Sequence, residues 1–93
     1  MIKSFGCKET KKIWDGFGSA KFPFDIQERA LKKMRQLNAS RVLDDLKNPP
    51  GNNLEFLKGE LKGWMSIRIN KQWRICFRWV NDSAYDVEIV DYH

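Results

Sequence analysis

From residue 64 onward the chain alternates, and the alternation fixes most of what it can become. "WMSIRIN" sets Met65, Ile67 and Ile69 against Ser66, Arg68 and Asn70. "WRICFRWV" sets Trp73, Ile75, Phe77 and Trp79 against Arg74, Cys76 and Arg78, and "AYDVEIVDY" sets Tyr85, Val87 and Ile89 against Asp86 and Glu88. A period of two places every apolar side chain on one side of a strand, so these segments are expected as half-buried antiparallel strands joined by tight turns. The pairing follows from the same pattern, because a slip of one residue would set apolar against polar along a whole hairpin. A turn over Asn70–Gln72 faces Ile69 with Trp73, Ile67 with Ile75 and Met65 with Phe77. A turn over Asn81–Ser83 faces Trp79 with Tyr85, Phe77 with Val87 and Ile75 with Ile89.

A sheet with one apolar face needs a cover, and the first half supplies it. In "DIQERALKKMRQLN" the residues Ile26, Ala30, Met34 and Leu37 follow the helical period. Asp25 is the expected N-cap, with Glu28 completing a capping box. "CKETKKIWDGF" reads as a shorter helix with Ile13 and Phe17 on one face beside Trp14, ended by Gly16 or Gly18. "RVLDDLKN" is a further helical piece carrying Val42, Leu43 and Leu46, which "PPGNN" breaks. "MIKSF" is expected as a short strand. The architecture is therefore α+β: a small twisted antiparallel sheet with two to three helices of the N-terminal half on one face. At 93 residues the chain is expected to form one domain, 1–93. Trp14, Trp64, Trp73 and Trp79 read as core or rim packing.

Several function classes are disfavoured. No apolar run is long enough to cross a bilayer, and "MIKSFGCKET" lacks the apolar stretch of a signal peptide. Cys7 and Cys76 are the only cysteines, too few for a disulfide framework or a zinc site. A reduced, cytoplasmic protein without metal or cofactor and without membrane contact is expected. The net charge of +5 suits a polyanion or an acidic protein partner. A merely solvated basic surface fits it equally well.

The polar face of the sheet is more specific. The register sets Arg78 opposite Asp86, an ordinary cross-strand ion pair, but it also sets Arg68 opposite Arg74. Like charges face to face are destabilising, so on this ground alone removal of Arg74 should relieve repulsion. Two offsets are open: the guanidinium groups splay into water or reach a carboxylate such as Glu55, or they hold a phosphate, whose oxygens match an arginine fork. The strand then runs out on "DYH". Tyr92 shares the Arg74 face, whereas Asp91 and His93 alternate away from it if the strand stays regular. On residue type alone His93 is an exposed side chain and Glu55 a surface carboxylate.

The words "LKG", "SIRIN", "WRICF" and "EIVDYH", in that order, resemble the HigB-type toxins (killer proteins) of the RelE/ParE superfamily. The likeness covers nearly the whole chain. It implies a RelE-like fold and a ribosome-dependent endoribonuclease that cuts messenger RNA in the decoding site; cleavage through the RNA's own 2′-OH needs a base, an acid, cations and in-line alignment, but no metal. It also implies a cognate HigA-like antitoxin that holds the toxin inactive. By the resemblance Arg74 is the phosphate-contacting arginine, Tyr92 and His93 form the catalytic tip, and Asp91 belongs with them. Glu55 occupies a position that is glutamate in some relatives and histidine in others, which leaves the general base open between Glu55 and His93. Lys58 and Arg68 match basic RNA-binding positions of some members. Two alternatives stay open: a ParE-like gyrase poison on the same fold, which generally lacks this polar set, and a non-enzymatic RNA- or protein-binding module. An antitoxin is expected either on the helix face carrying Arg29, Lys32, Lys33 and Arg35 or on the sheet face of Arg68 and Arg74.

Overall fold

A computed structural model describes residues 1–92. Two α-helices, α1 (Lys8–Trp14) and α2 (Phe24–Ala39), precede four strands: β1 (Glu55–Phe56), β2 (Trp64–Arg68), β3 (Trp73–Val80) and β4 (Ser83–Asp91). The strands form one antiparallel sheet in the order β1-β2-β3-β4. Short 3-10 turns at Leu43–Lys47, Pro50–Asn52 and Gly59–Leu61 carry the chain between them. No helix among the described residues is long and apolar enough to cross a membrane.

The helices cover one face. On α2 the residues Ile26, Ala30, Met34 and Leu37 are buried, as their spacing requires, against Ile67, Ile75, Phe77, Val87 and Ile89 of the sheet. Trp73 meets Phe22 edge-on, with ring centroids 5.8 Å apart. Truncating a side chain as enclosed as Leu37 would cost about 2–5 kcal/mol. Two local expectations fail. Pro23, not Asp25, is the N-cap of α2, and no side chain caps it. Gln27 ties the preceding loop down instead, donating to the carbonyls of Ser19 (2.7 Å) and Phe22 (2.9 Å). Proline at this position lets the helix start two residues earlier than an Asp25 cap would, since the first-turn N–H groups need no intrahelical partner. Phe17 lies beyond the end of α1, after the left-handed Gly16, and is exposed rather than packed beside Ile13.

The β2–β3 register is the expected one, with Met65 opposite Phe77, Ile67 opposite Ile75 and Arg68 opposite Arg74. The β3–β4 hairpin differs near its turn, where Val80 pairs with Ser83, Trp79 with Ala84 and Arg78 with Tyr85. The loop is therefore Asn81-Asp82, both residues at positive φ (49° and 59°). Asn and Asp tolerate that conformation, and two such residues make the turn whose twist matches the strands. The displaced residue is absorbed in a bulge opposite Phe77, with Asp86 at φ 55°. Past it Cys76 pairs with Glu88 and Ile75 with Ile89, and the apolar phase is restored.

The segment "MIKSF" is no separate strand. Ile2 and Phe5 bridge β4 in parallel at Ala84 and Val87, with Lys3 N donating to Ala84 O at 2.8 Å and Gly6 N to Val87 O at 3.0 Å. Thr10 of α1, fully buried, accepts from Ile89 N at 3.0 Å. An edge strand's unpaired backbone is thereby covered.

Candidate active site

The uncovered sheet face has three rows, read from the pairing. One runs Glu55, Ser66, Cys76, Glu88 across all four strands. The next holds Arg68, Arg74 and Val90, and the third Trp64, Arg78 and Tyr85. Arg74 is only 7% exposed although it sits on this open face. Its Nε donates to Ser66 Oγ at 2.8 Å, and its Nη2 donates to the carbonyls of Ser66 (3.3 Å) and Asn53. Asn53 closes the Pro50–Asn52 turn at φ 42°, placing its carbonyl over the strand. Nη1 lies 3.5 Å from Glu55 Oε1. The guanidinium carbon lies 5.6 Å from the Tyr92 ring centroid, over the ring.

The like-charge pair is thus offset by a carboxylate and by divergence. Arg74 turns into this cage. Arg68 lines an open groove of about 720 Å³ with Arg29, Lys32 and Lys33 of α2 and with Lys71 of the β2–β3 turn. Arg29 Nη1 donates to Ile69 O at 3.3 Å and ties α2 to that turn. Burial and the neighbouring Arg29 charge lower the Lys33 pKa. Arg74 is therefore a structural member of the sheet as well as a cation, and its loss would strand Ser66 and Glu55 rather than simply relieve repulsion.

Of the residues expected from sequence, the structure brings together Glu55, Arg74 and Tyr92. Asp91 stands at the edge, where Gln72 Nε2 reaches both its carboxylate oxygens at 3.3 Å and Gln72 O accepts from Tyr92 N at 2.6 Å. Lys58 is exposed at the start of the Gly59–Leu61 turn, and no hydrogen bond or ion pair joins its side chain to the other site residues described. His93 lies outside the described residues. Sequence reasoning missed Ser66 and Asn53, which fix the guanidinium. It also missed Trp64, which lines a hollow on this face with Leu57, Cys76, Glu88 and Tyr92 rather than the core. Burial pushes the Cys76 thiol up to about 11, so it stays protonated and inert near neutrality. Among the described residues no three histidine, cysteine or acidic side chains cluster to hold a metal ion.

A family model described as "RelE-like toxin of type II toxin-antitoxin system HigB" matches residues 3–93. The chain is 47% identical over 62 residues to the "Toxin HigB-1" of Vibrio cholerae serotype O1, a match spanning 67% of this chain and 65% of that protein, just under two-thirds of its length. It is 30% identical over 93 residues, the full length of both chains, to the "Endoribonuclease HigB" of Proteus vulgaris. Among solved structures, the YoeB-YefM complex from Staphylococcus aureus superposes with a TM-score of 0.62 at 14% identity, over 100% of this chain and 98% of that one. At that identity the likeness is one of fold.

Proposed function

This chain belongs to the RelE-like toxins of HigB type II toxin-antitoxin systems, and from that premise we propose that it is a ribosome-dependent endoribonuclease that cuts messenger RNA. The observation that carries the reading is the caged Arg74: a preoriented cation on an open face, between a carboxylate (Glu55) and an aromatic ring (Tyr92).

RNA cleavage through the 2′-OH needs a base for that proton, an acid for the 5′-oxygen that leaves, and cations where charge gathers on phosphorus. The 2′-oxygen bonds to phosphorus as the bond to the 5′-oxygen breaks, leaving a cyclic phosphate and a 5′-hydroxyl. Glu55, 52% exposed in its side chain and paired to Arg74, is the described residue suited to take the 2′ proton. Arg74 meets the phosphorane oxygens with the Nη1 edge that Ser66 and Asn53 leave open. Tyr92 stacks on a base or donates to the phosphate. With Glu55 as the base, the acid role falls to His93, a member of the catalytic tip that the resemblance implies, and Asp91, Lys58 and Arg68 extend the contact to the strand. Aligning the nucleotide in line is left to the ribosome, since the site has several phosphate-reading groups and few base-reading ones. The protein then works in the cytoplasm, and its HigA-like antitoxin, carrying acidic side chains, docks on the groove of Arg29, Lys32, Lys33 and Arg68, away from Arg74.

The test is to map new RNA 5′ ends on translated messages after induction, and to compare purified protein on programmed ribosomes and on naked RNA. Cuts confined to ribosome-bound message are expected. Efficient sequence-specific cutting of naked RNA would remove the ribosome from the proposal. Binding without cleavage would favour a binding module, and inhibition of DNA gyrase a ParE-like poison.

A further inference from the structure

The sheet row Glu55, Ser66, Cys76, Glu88 ends in a carboxylate on each side. At a strand spacing of about 4.8 Å, the two acids start roughly 14 Å apart, too far to share one proton. Glu55 is engaged by Arg74. The Glu88 carboxylate has no hydrogen bond or ion pair among the described residues, although the residue is half-buried. An unpaired acid on a face meant for a polyanion repels phosphate, so its presence there calls for another use.

Its surroundings supply one. Glu88 borders a hollow of about 400 Å³, within the roughly 300–1,000 Å³ of small-ligand sites. Leu57 and Leu61 line one side, Val90 and Tyr92 the other, and the buried Cys76 lies between them; Asp91 also borders the hollow, but its carboxylate is already engaged by Gln72. Tyr92 is shared with the Arg74 cage, so a ligand in the hollow lies next to the scissile phosphate of the ribonuclease reading, on which this inference rests. The carboxylate is seated by a glycine: Glu88 Oε2 is 3.3 Å from where a side-chain carbon on Gly6 would stand, with Asp86 O at 3.2 Å.

An apolar slot with an aromatic wall and a bare acceptor at its edge fits a flat base with amino donors. Guanine presents N1–H and N2–H to two carboxylate oxygens. Adenine and cytosine each present one exocyclic amine. Uracil presents one ring N–H flanked by carbonyl oxygens that repel a carboxylate. We propose that this hollow is a base pocket for a nucleotide flanking the cut, in which Glu88 selects bases with an exocyclic amine, guanine above adenine and cytosine, and rejects uracil.

The experiment is single-turnover cleavage on ribosomes programmed with messages that carry each of the four bases at the two nucleotides flanking the cut. The wild-type protein and Glu88→Gln are compared, with melts run beside them. Wild type should cut guanine-flanked sites at least about tenfold faster than uracil-flanked ones, and Glu88→Gln should compress that ratio about tenfold by exchanging one acceptor for a donor. Cleavage with no base preference, or a preference that Glu88→Gln leaves intact, would overturn the pocket while sparing the ribonuclease reading. Equal slowing at all four bases would overturn it too, making Glu88 a proton-transfer or packing residue. Absence of any cleavage by wild type would sink both.

Discussion

Arg74 and Arg68 face one another across a hairpin, yet they serve regions built in opposite ways. Around Arg74 the positive charge is fixed: buried to 7% exposure, hydrogen-bonded on Nε and Nη2, and neutralised by one carboxylate. Around Arg68 it is spread over Arg29, Lys32, Lys33 and Lys71 in an open groove. Among the described residues, Glu28 alone of the carboxylates reaches a groove cation, Lys32 at 3.7 Å, with both groups largely exposed. A fixed cation costs nothing to reorganise when a transition state forms, which is what chemistry requires. A cluster tied down only in part, Arg29 to Ile69 O and Lys33 to Asn52 Oδ1, projects a field and adapts through its remaining charges to what it meets, which is what docking requires.

The largest effect should come from disturbing the fixed charge. Arg74→Lys keeps the charge but replaces a fork held in place by Ser66 with a flexible point donor. Cleavage should fall by about 10²–10³-fold, as for loss of one oxyanion donor. Arg74→Ala should fall at least as far, and should also lower the melting temperature, because Ser66 and Glu55 lose their partner. Single-turnover rates beside thermal melts check both. If Arg74→Lys cleaves at the wild-type rate, the cage is packing alone and the contrast between the regions disappears.

Disturbing the groove should give a smaller effect of a different kind. Lys32→Glu with Arg68→Glu should slow association with the antitoxin about tenfold and flatten its salt dependence, since steering by exposed charge is screened within roughly 10 Å at 0.1 M salt. Stopped-flow association across a salt series measures this. An unchanged rate would move the antitoxin to another face.

The two regions were unequally legible in the sequence. The period of two dictated β2, β3 and the face on which Arg74 sits, and the period of 3.6 dictated which side of α2 is buried. The pairing of Arg68 with Arg74 followed from where Ile67 and Ile75 must meet. What stayed hidden was set by backbone geometry rather than by apolar period. β1 is only Glu55–Phe56, too short to alternate. The Asn81-Asp82 turn and the bulge at Asp86 compensate one another, so their combined effect on Ile89 is nil and leaves no mark in the pattern. The grip on Arg74 depends on a carbonyl, that of Asn53, and a carbonyl carries no side-chain signature.

Cys76 probes whether the fixed region is dry. Burial raises its thiol from 9.0 to about 11, against the opposing pull of Arg74. A thiol whose pKa rises on folding contributes stability that is full below the unfolded pKa and is lost as pH climbs towards the folded one. Stability should therefore decline between pH 9 and 11, with Cys76→Ala removing that part of the slope in denaturant titrations. Alkylation at pH 8 should label Cys7, partly exposed and with its pKa lowered, well before Cys76. Equal labelling would mean that water reaches the cleft floor.

A third arginine shares a trait with each region, and should matter least. Arg78 is held by a carboxylate, as Arg74 is, with Nε 2.8 Å from Asp86 Oδ2, but the two side chains are 42% and 40% exposed, as in the groove. If burial and not pairing makes the Arg74 cage matter, breaking this pair should cost no more than about 1 kcal/mol. Asp86→Asn is the clean variant, because asparagine keeps the tolerance for φ 55° that the bulge demands. Asp86→Gly loses the same pair yet relaxes the left-handed backbone, so it should be at least as stable as Asp86→Asn. Asp86→Val, β-branched at positive φ, should be the worst of the three although it loses no more charge than they do. Melts of the series would rank backbone against charge at the bulge. A loss of several kcal/mol in Asp86→Asn would show that an exposed pair weighs as much as a buried one, and the distinction between the two regions would then rest on something other than burial.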